Sequence, residues 1–92
     1  MAVAEFIKSA DLKQLSEVFD YNGIVRNQII DTLEQDKDFK MQYGMGSRFS
    51  FFYKGNEHRI NLNMYDNRYE LDYNSESEKH CKTLEEVLSA LS

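Results

Sequence analysis

The sequence predicts an α+β fold, a four-stranded antiparallel meander with two N-terminal helices and one C-terminal helix packed on one face. Three observations predict it. Apolar and polar residues alternate between residues 39 and 73, which is the period of β-strands. Apolar residues on both sides of this segment recur at helical spacing,. One face of each strand is polar, so the helices are expected to cover only the other face.

The first predicted helix begins after Ser9, because serine is a common residue at helix N-caps. Its end is predicted at Asn22-Gly23, a pair typical of helix C-termini. One side of this helix carries Leu12, Leu15, Val18 and Phe19. Ahead of it, a further helical turn or an extension of the same helix is indicated by Val3, Phe6 and Ile7.

The second predicted helix continues up to the charged cluster Asp36-Lys37-Asp38. Its apolar residues repeat at helical spacing. They are Ile24, Val25, Ile29, Ile30 and Leu33.

The first predicted strand carries Phe39, Met41 and Tyr43 on its inner face, and the pattern extends toward Met45. Pairing this face with the following strand requires an odd number of loop residues. We therefore expect either a loop of three or five residues, with Gly44 or Gly46 at positive φ, or a β-bulge.

The other two hairpins are predicted from Gly55-Asn56 and Asp66-Asn67, read as two-residue turns, the first of type II′ because glycine leads it. This register places Tyr53 opposite His58 and Phe51 opposite Ile60 across the first turn. Across the second turn, Leu62 faces Leu71, Ile60 faces Tyr73 and Met64 faces Tyr69. A slip of one residue would expose Ile60 and Leu62 to water, so the pattern restricts which face each residue occupies.

Residues 74–82 are polar and are predicted to form a loop. The segment Thr83-Leu84-Glu85-Glu86 matches a capping box and predicts the start of the last helix. Its inward residues are Leu84, Val87, Leu88 and Leu91.

Length and composition predict one domain over residues 1–92, because no low-complexity stretch divides the chain,. No apolar run approaches the roughly 20 residues of a membrane span, and the N-terminus lacks the plan of a signal peptide. We therefore expect a cytoplasmic protein without membrane contact. The single cysteine, Cys81, has no internal partner for a disulfide, which fits a reducing compartment.

Catalysis is not indicated, and we predict no enzyme, no catalytic residues, no cofactor and no metal site. His80 and Cys81 are adjacent, so on an extended chain they point to opposite faces, and no third orienting group has a recognisable spacing. Glu70 and Asp72 share one strand face with Arg68, as mixed charges usually do on exposed sheets. Phosphate-loop, zinc-protease and EF-hand motifs are not present in the sequence,.

Nucleic-acid binding is an alternative, because the outer sheet face would combine aromatic side chains with arginines. These residues are Phe52, Tyr65, Arg48, Arg59 and Arg68. The net charge of −5 opposes it, since a phosphate backbone is repelled unless basic residues are segregated. Direct binding of nucleic acid is therefore not expected.

Protein binding is better supported by the charge distribution, because the acidic residues concentrate outside the predicted sheet. Asp31, Glu34 and Asp38 follow one another at helical spacing and line one side if the helix extends that far. Their separation is similar to that of phosphates along a nucleic-acid strand. The complete set of candidate DNA-mimicking acids is Asp31, Glu34, Asp36, Asp38, Glu70, Asp72, Glu76 and Glu78. Candidate interface residues are Phe52, Arg59 and Tyr65.

The chain resembles the small acidic anti-defence proteins of bacteriophages, such as the anti-restriction nuclease (Arn) proteins of T-even phages. The resemblance lies in the 92-residue length, the acidic balance, the absence of Pro and Trp, and the many Asn, Lys, Tyr, Phe and Ile residues. It implies a homodimeric, noncatalytic DNA mimic in the host cytoplasm. Such a protein blocks a host restriction enzyme, for example of the McrBC type, by filling its DNA site.

We therefore predict a protein-binding inhibitor, most specifically a phage-encoded DNA mimic, whose partner is a host DNA-binding protein or nuclease. Two alternatives stay open. One is a module that binds single-stranded nucleic acid on the outer sheet face, and the other is an immunity or regulatory protein for a toxin or polymerase.

Overall fold

The structure is a computed structural model that describes residues 3–19, 22–73 and 77–91. In chain order its elements are α1 (Val3–Ser9), α2 (Leu12–Phe19), α3 (Asn22–Leu33), β1 (Phe39–Met45), β2 (Arg48–Tyr53), β3 (Asn56–Asn63), β4 (Arg68–Tyr73), β5 (Ser77–Cys81) and α4 (Leu84–Leu91). The predicted α+β class is confirmed. The predicted counts are wrong, because the described residues form five strands and four helices.

The sheet is an antiparallel meander in the order β1-β2-β3-β4-β5. Its inner face and the helices share one buried cluster, and none of the described helices packs on its outer face. The cluster comprises Ile7, Ala10, Leu12, Leu15, Val25, Ile29, Ile30, Leu33, Phe39, Phe49, Phe51, Tyr53, Ile60, Leu62, Tyr69, Leu71, Cys81, Leu84 and Val87. Apolar burial on this scale is the main source of stability for a domain of this size.

Asp11, and not Ser9, caps α2. The Asp11 Oδ1 atom accepts a hydrogen bond from the Gln14 backbone N–H at 2.8 Å, and the Gln14 Oε1 atom accepts one from the Asp11 N–H at 2.9 Å. This reciprocal pair is a capping box. Ser9 ends α1, where its hydroxyl donates back to the Glu5 carbonyl at 2.9 Å, so the predicted cap is wrong.

Two apolar residues assigned to the inner helix faces are exposed. Val18 lies roughly 120° around the α2 axis from Leu12, and Ile24 lies roughly 100° before Val25 on α3. Both therefore fall outside the buried stripes of their helices. The remaining apolar residues predicted for α3 are buried. The predicted stop at Asn22-Gly23 is also wrong, because α3 begins there.

The β2–β3 hairpin has a different register from the predicted one. Tyr53 pairs with Asn56 and Phe51 with His58, so the turn residues are Lys54 and Gly55. Both have positive φ, 52° and 83°, as a type I′ turn requires. Compared with the prediction, each β2 residue meets a partner two positions earlier on β3. A shift of two residues preserves the face of every side chain, which is why the predicted core faces are correct although the pairs are not.

The β3–β4 connection is a four-residue loop, so its predicted register is also shifted by two. Leu62 pairs with Tyr69 and Ile60 with Leu71. The Asn63 side chain determines this loop, since its Oδ1 atom accepts a hydrogen bond from the Asp66 N–H at 2.9 Å. At the far side, Asn67 Oδ1 accepts one from the Lys13 N–H at 2.8 Å and fastens the loop to α2.

Of the two alternatives predicted for the β1–β2 connection, the structure contains the β-bulge and not the longer loop. Met41 pairs with Phe51, whereas Tyr43 pairs with Ser50, so Gln42 is the extra residue,. The β1–β2 turn itself has only two residues, Gly46 and Ser47, with Gly46 at a φ of 61°. The bulge inverts the faces of the residues that follow it, and the predicted inward position of Tyr43 is wrong.

Strand β5 occupies part of the segment predicted as a loop. It pairs with β4 in antiparallel register, from Ser77 opposite Tyr73 to Cys81 opposite Tyr69. Cys81 is a free, buried thiol on the inner face, and burial raises its pKa,. The segment was predicted as a loop because Cys81 is the one apolar residue of β5. A single apolar residue is too few for the alternating pattern to be recognised. After β5, Thr83 Oγ1 accepts a hydrogen bond from the Glu86 N–H at 3.3 Å, consistent with the predicted start of α4.

Candidate functional site

The outer face of the sheet carries two parallel rows of side chains that cross all five strands. The first row, from β1 to β5, is Tyr43, Ser50, Arg59, Asp72 and Glu78. The second row is Met45, Arg48, Asn61, Glu70 and His80. Each row begins with an exposed aromatic or apolar side chain and contains one arginine. The first row ends in two carboxylates, and the second ends in a carboxylate and an imidazole. The outer face is therefore apolar and basic at β1 and β2 and acidic at β4 and β5.

The bulge in β1 creates the apolar end of these rows. Because Gln42 is inserted, Tyr43 and Met45 project outward, where they are 57% and 66% exposed. Gly44 faces inward between them, and a Cβ atom there would lie 3.0 Å from the Met41 side chain and 3.4 Å from Phe49. A larger residue at position 44 would therefore displace the end of the Met41 side chain, which is half-buried beneath the two exposed side chains.

A shallow cavity of about 360 Å³ lies over the two rows. Its size is at the lower end for small-ligand sites. Its lining includes Tyr43, Met45, Arg48, Arg59, Glu70 and Glu78. Both signs of charge and an aromatic ring thus border one depression.

Glu70 is the best-fixed carboxylate on this face. It accepts hydrogen bonds from the side-chain amides of Asn63 and Asn61, each at 2.8 Å, and from the Arg68 Nε atom at 2.9 Å. These bonds, those from the two asparagines first and then Arg68, lower its pKa to about 2,. Its side chain is only 11% exposed. Glu70 is therefore ionised and held in one orientation at neutral pH.

The other charges of the face are mostly paired. Arg59 lies 3.4 Å from Asp72, Arg68 lies 3.6 Å from Asp66, and His80 Nε2 lies 3.2 Å from a Glu78 carboxylate oxygen. These pairs are exposed and contribute little stability individually. They do neutralise the basic patch that nucleic-acid binding requires. Arg48 has no ion pair or hydrogen bond from its side chain to the rest of the described chain.

The predicted helical line of acids is incomplete. Asp31 and Glu34 are exposed one turn apart, because the hydrogen bond from the Glu34 N–H to the Ile30 carbonyl continues the helical pattern at 2.8 Å. Helix α3 ends at Leu33, so Asp38 does not continue this line. The chain turns at Asp36 before Asp38 is reached.

Asp36 has a structural role. Its Oδ1 atom accepts a hydrogen bond from the Asp38 N–H at 2.9 Å, and its Oδ2 atom accepts one from the Tyr53 hydroxyl at 3.0 Å. The backbone bond and then the Tyr53 bond lower the pKa of Asp36. Because both oxygens are engaged, Asp36 ties the α3–β1 connection to β2 and is a poor candidate for partner binding.

The predicted acids therefore fall into two groups on different parts of the molecule. Asp31, Glu34, Asp36 and Asp38 lie at the end of α3 and in the connection to β1, and Glu70, Asp72 and Glu78 lie on the outer sheet face. Glu76 lies outside the described residues. The structure does not bring the acids together into one array.

The candidate interface residues are also separated. Phe52 lies on the outer face beside Glu57, near the β2–β3 turn, and Arg59 is paired with Asp72 in the middle of the sheet. Tyr65 is 98% exposed in the loop at the opposite end of β3. Only Arg59 of the three lines the cavity.

Charge is divided between the two layers of the fold. The described helix layer, residues 3–19, 22–38 and 82–91, contains nine acidic and five basic residues, a net charge of −4. The described sheet, residues 39–73 and 77–81, contains five acidic and six basic residues, a net charge of +1. All ion pairs found in the described ranges lie in the sheet or its β3–β4 loop. Within the described ranges, the acids of the helix layer thus form no ion pairs with cationic side chains.

His80 and Cys81 do not form a catalytic pair. His80 is exposed on the outer face, and Cys81 is buried on the inner face, as expected for neighbours on an extended chain. The other histidine, His58, is buried against the Phe51 ring with centroids 5.5 Å apart. Burial lowers its pKa,.

Sequence reasoning missed two features of the outer face. Tyr43 and Met45 were assigned to the inner face because no pattern locates a bulge at Gln42. His80 was placed in a loop, although the separation of Glu78 and His80 by one residue is the signal that puts both on one strand face.

None of the helices in the described part of the chain has the length and apolar character needed to span a bilayer. Comparison of the chain with protein-family models, curated proteins and solved structures finds no match in any of the three.

Proposed function

We propose that this protein is a noncatalytic inhibitor that binds a DNA-binding protein or nuclease through its acidic helix layer and excludes duplex DNA from that partner. The division of charge between the two layers carries the proposal. A net charge of −4 on one side of a small domain attracts a basic DNA-binding channel,. The sheet, at a net +1, repels such a channel weakly and turns the helix layer toward it.

Asp31 and Glu34 are the acids to which we assign the central role. Both are exposed, they lie one turn apart, and neither forms an ion pair within the described residues. Asp38 borders them, although it is off their line. Glu70 and Asp72 are less suited, because neighbouring cations already neutralise them.

The resemblance to phage anti-defence proteins gives the sharpest form of this proposal, a phage-encoded DNA mimic acting in the host cytoplasm. A homodimer would double the acidic surface. Tyr43 and Met45 offer exposed apolar area for such an interface,. Analytical ultracentrifugation of the parent and of the Tyr43→Ser, Met45→Ser double variant tests this part, with a dimer expected only for the parent.

The test of inhibition uses immobilised protein, a bacterial lysate and elution with a duplex DNA oligonucleotide. We expect DNA-binding proteins to be retained, to be released by duplex DNA and to be lost steeply with added salt, since exposed charges dominate the contact. The double variant Asp31→Asn, Glu34→Gln should retain little. Its matched control is Glu57→Gln, Asp66→Asn, which removes the same charge from the sheet and its β3–β4 loop at exposed positions and should behave as the parent.

Two outcomes contradict the proposal. Equal retention by both double variants would show that Asp31 and Glu34 do not bind the partner. A tightly bound partner that duplex DNA does not displace would indicate an immunity or regulatory protein. A gel-shift assay with single-stranded DNA and RNA at low salt addresses the remaining alternative, and we expect no retarded band.

A further inference from the structure

Two residues of β5 and one of β4 bring three ligand groups together at the acidic end of the outer face. Glu78 and His80 are separated by one residue and therefore share a face of β5. Glu70 is the cross-strand partner of His80. One ligand atom from each of the three side chains lies within 4.8 Å of the other two.

The spacing of these atoms is close to that of metal ligands. His80 Nε2 and a Glu78 carboxylate oxygen are 3.2 Å apart. Two ligands at roughly 2.0–2.2 Å from a zinc ion stand about 3.3–3.6 Å apart in a tetrahedral site. This pair is therefore placed as one edge of a coordination shell. The fixed Glu70 carboxylate lies within 4.8 Å of both atoms, and rotation of the exposed Glu78 and His80 side chains closes the remaining distance.

The surroundings of Glu70 add an independent observation. Asn61 and Asn63 on β3 and Arg68 on β4 hold its carboxylate, as residues behind a metal ligand do,. Its Oε1 atom accepts only the Asn61 hydrogen bond in the described structure, which leaves a lone pair for a cation. The cavity of about 360 Å³ borders both Glu70 and Glu78 and has room for an ion with bound water.

We propose that Glu70, Glu78 and His80 form a binding site for a divalent zinc-type metal ion that links β4 to the edge strand β5. One imidazole nitrogen with two carboxylates suits Zn²⁺, whereas Mg²⁺ and Ca²⁺ prefer oxygen ligands alone. Water or a side chain of a bound partner completes the coordination. Arg68 lies against Glu70 at 2.9 Å, and its charge makes the site weaker than a closed structural zinc site.

This site differs from the sequence prediction, which expected no metal site. The reason for the difference is β5. Only when residues 77–81 form a strand beside β4 do Glu78 and His80 meet Glu70.

The test is a titration of tag-free protein with Zn²⁺. Two quantities are measured: the imidazole resonances of His80 in NMR spectra and the midpoint of thermal unfolding. We expect saturation at one equivalent, with selective change at His80, because His58 is buried on the other face. Metal that binds only the folded state must also raise the unfolding midpoint. Mg²⁺ should produce neither effect at the same concentration.

The variants His80→Ala and Glu78→Gln should each lower zinc affinity at least tenfold. Both positions are exposed, so neither change is expected to unfold the protein. Glu57→Gln is the matched control, an exposed acid on the outer face away from the cluster, and should bind as the parent does. Unchanged affinity in His80→Ala overturns the proposal. So does a thiolate charge-transfer band with Co²⁺, which would assign binding to Cys81.

Discussion

Replacing Glu70 by Gln should destabilise the fold by about 1–3 kcal/mol at pH 7. The carboxylate of Glu70 accepts three hydrogen bonds, two from asparagine amides at 2.8 Å and one from the Arg68 guanidinium at 2.9 Å. A glutamine keeps one acceptor oxygen and turns an NH₂ group toward the remaining donors. The variant therefore loses the charge-assisted bonds and places donors against each other.

The pH dependence provides a second, independent measurement on the same residue. The pKa of Glu70 is about 2 in the folded protein against 4.5 for the free side chain. Between these values the unfolded chain binds a proton that the folded protein does not, so the contribution of Glu70 is complete above pH 4.5 and is lost as pH falls toward 2. The difference in unfolding free energy between parent and Glu70→Gln should shrink over that window.

Urea unfolding at pH 7 and at pH 3 measures both effects, with Asp72→Asn as the control. Asp72 is on the same strand face, is 37% exposed and faces Arg59 at 3.4 Å. An exposed pair of this kind is worth less than about 1 kcal/mol. If Glu70→Gln costs no more than Asp72→Asn, or if its cost is the same at both pH values, the assignment of Glu70 as the fixed centre of the face is wrong.

Three further predictions concern the turn and the buried polar groups. Lys54 and Gly55 both have positive φ, which asparagine tolerates better than lysine and glycine better than alanine. In urea unfolding, Lys54→Asn should therefore stabilise the fold by roughly 0.5 kcal/mol, and Gly55→Ala should destabilise it by about 1 kcal/mol. A destabilising Lys54→Asn would contradict the type I′ turn. Stability should fall as pH drops below 6.5, because burial lowers the pKa of His58 and the unfolded chain therefore binds the proton at a higher pH than the folded protein does,. His58→Phe should flatten this part of the profile, and an unchanged slope would exclude His58 as its cause. Tyr69→Phe should be neutral or stabilising by up to about 1 kcal/mol in thermal unfolding, since the Tyr69 hydroxyl is buried without a partner in the described structure,. Tyr53→Phe removes a hydrogen bond and should cost about 1 kcal/mol. A larger cost for Tyr69→Phe than for Tyr53→Phe would refute this.

The sheet shows which part of a fold an alternating sequence determines. Alternation assigns each residue to a face, and the faces of Phe51, Ile60, Leu62 and Leu71 are as predicted. It does not choose between registers that differ by two residues, because both bury the same side chains. That choice depends on the turns. At one turn Lys54-Gly55 at positive φ replaced the expected Gly55-Asn56, and at the other the Asn63 side chain stabilised a longer loop.

The helix layer illustrates a different limit. Apolar spacing located α2, α3 and α4, but it did not identify the N-cap of α2. Ser9 and Asp11 are both common N-cap residues, and the reciprocal hydrogen bonds between Asp11 and Gln14 decide for Asp11. The end of α3 mattered more for function. The spacing of Asp31, Glu34 and Asp38 implied one acidic line only if the helix continued, and the bonds made by Asp36 end it.

The candidate sites on the outer face depend on two local departures from regular alternation. A single inserted residue, Gln42, places Tyr43 and Met45 on the polar face, and without it both would have been buried as the pattern predicts,. The short strand β5 places Glu78 and His80 beside Glu70, although its composition resembles a loop. A bulge and an edge strand each gain stability from pairing with an existing sheet and need little apolar character of their own. The alternating pattern therefore predicts the core of this protein well. The surface on which a metal or a partner would bind depends instead on the inserted residue in β1 and on the pairing of β5 with β4.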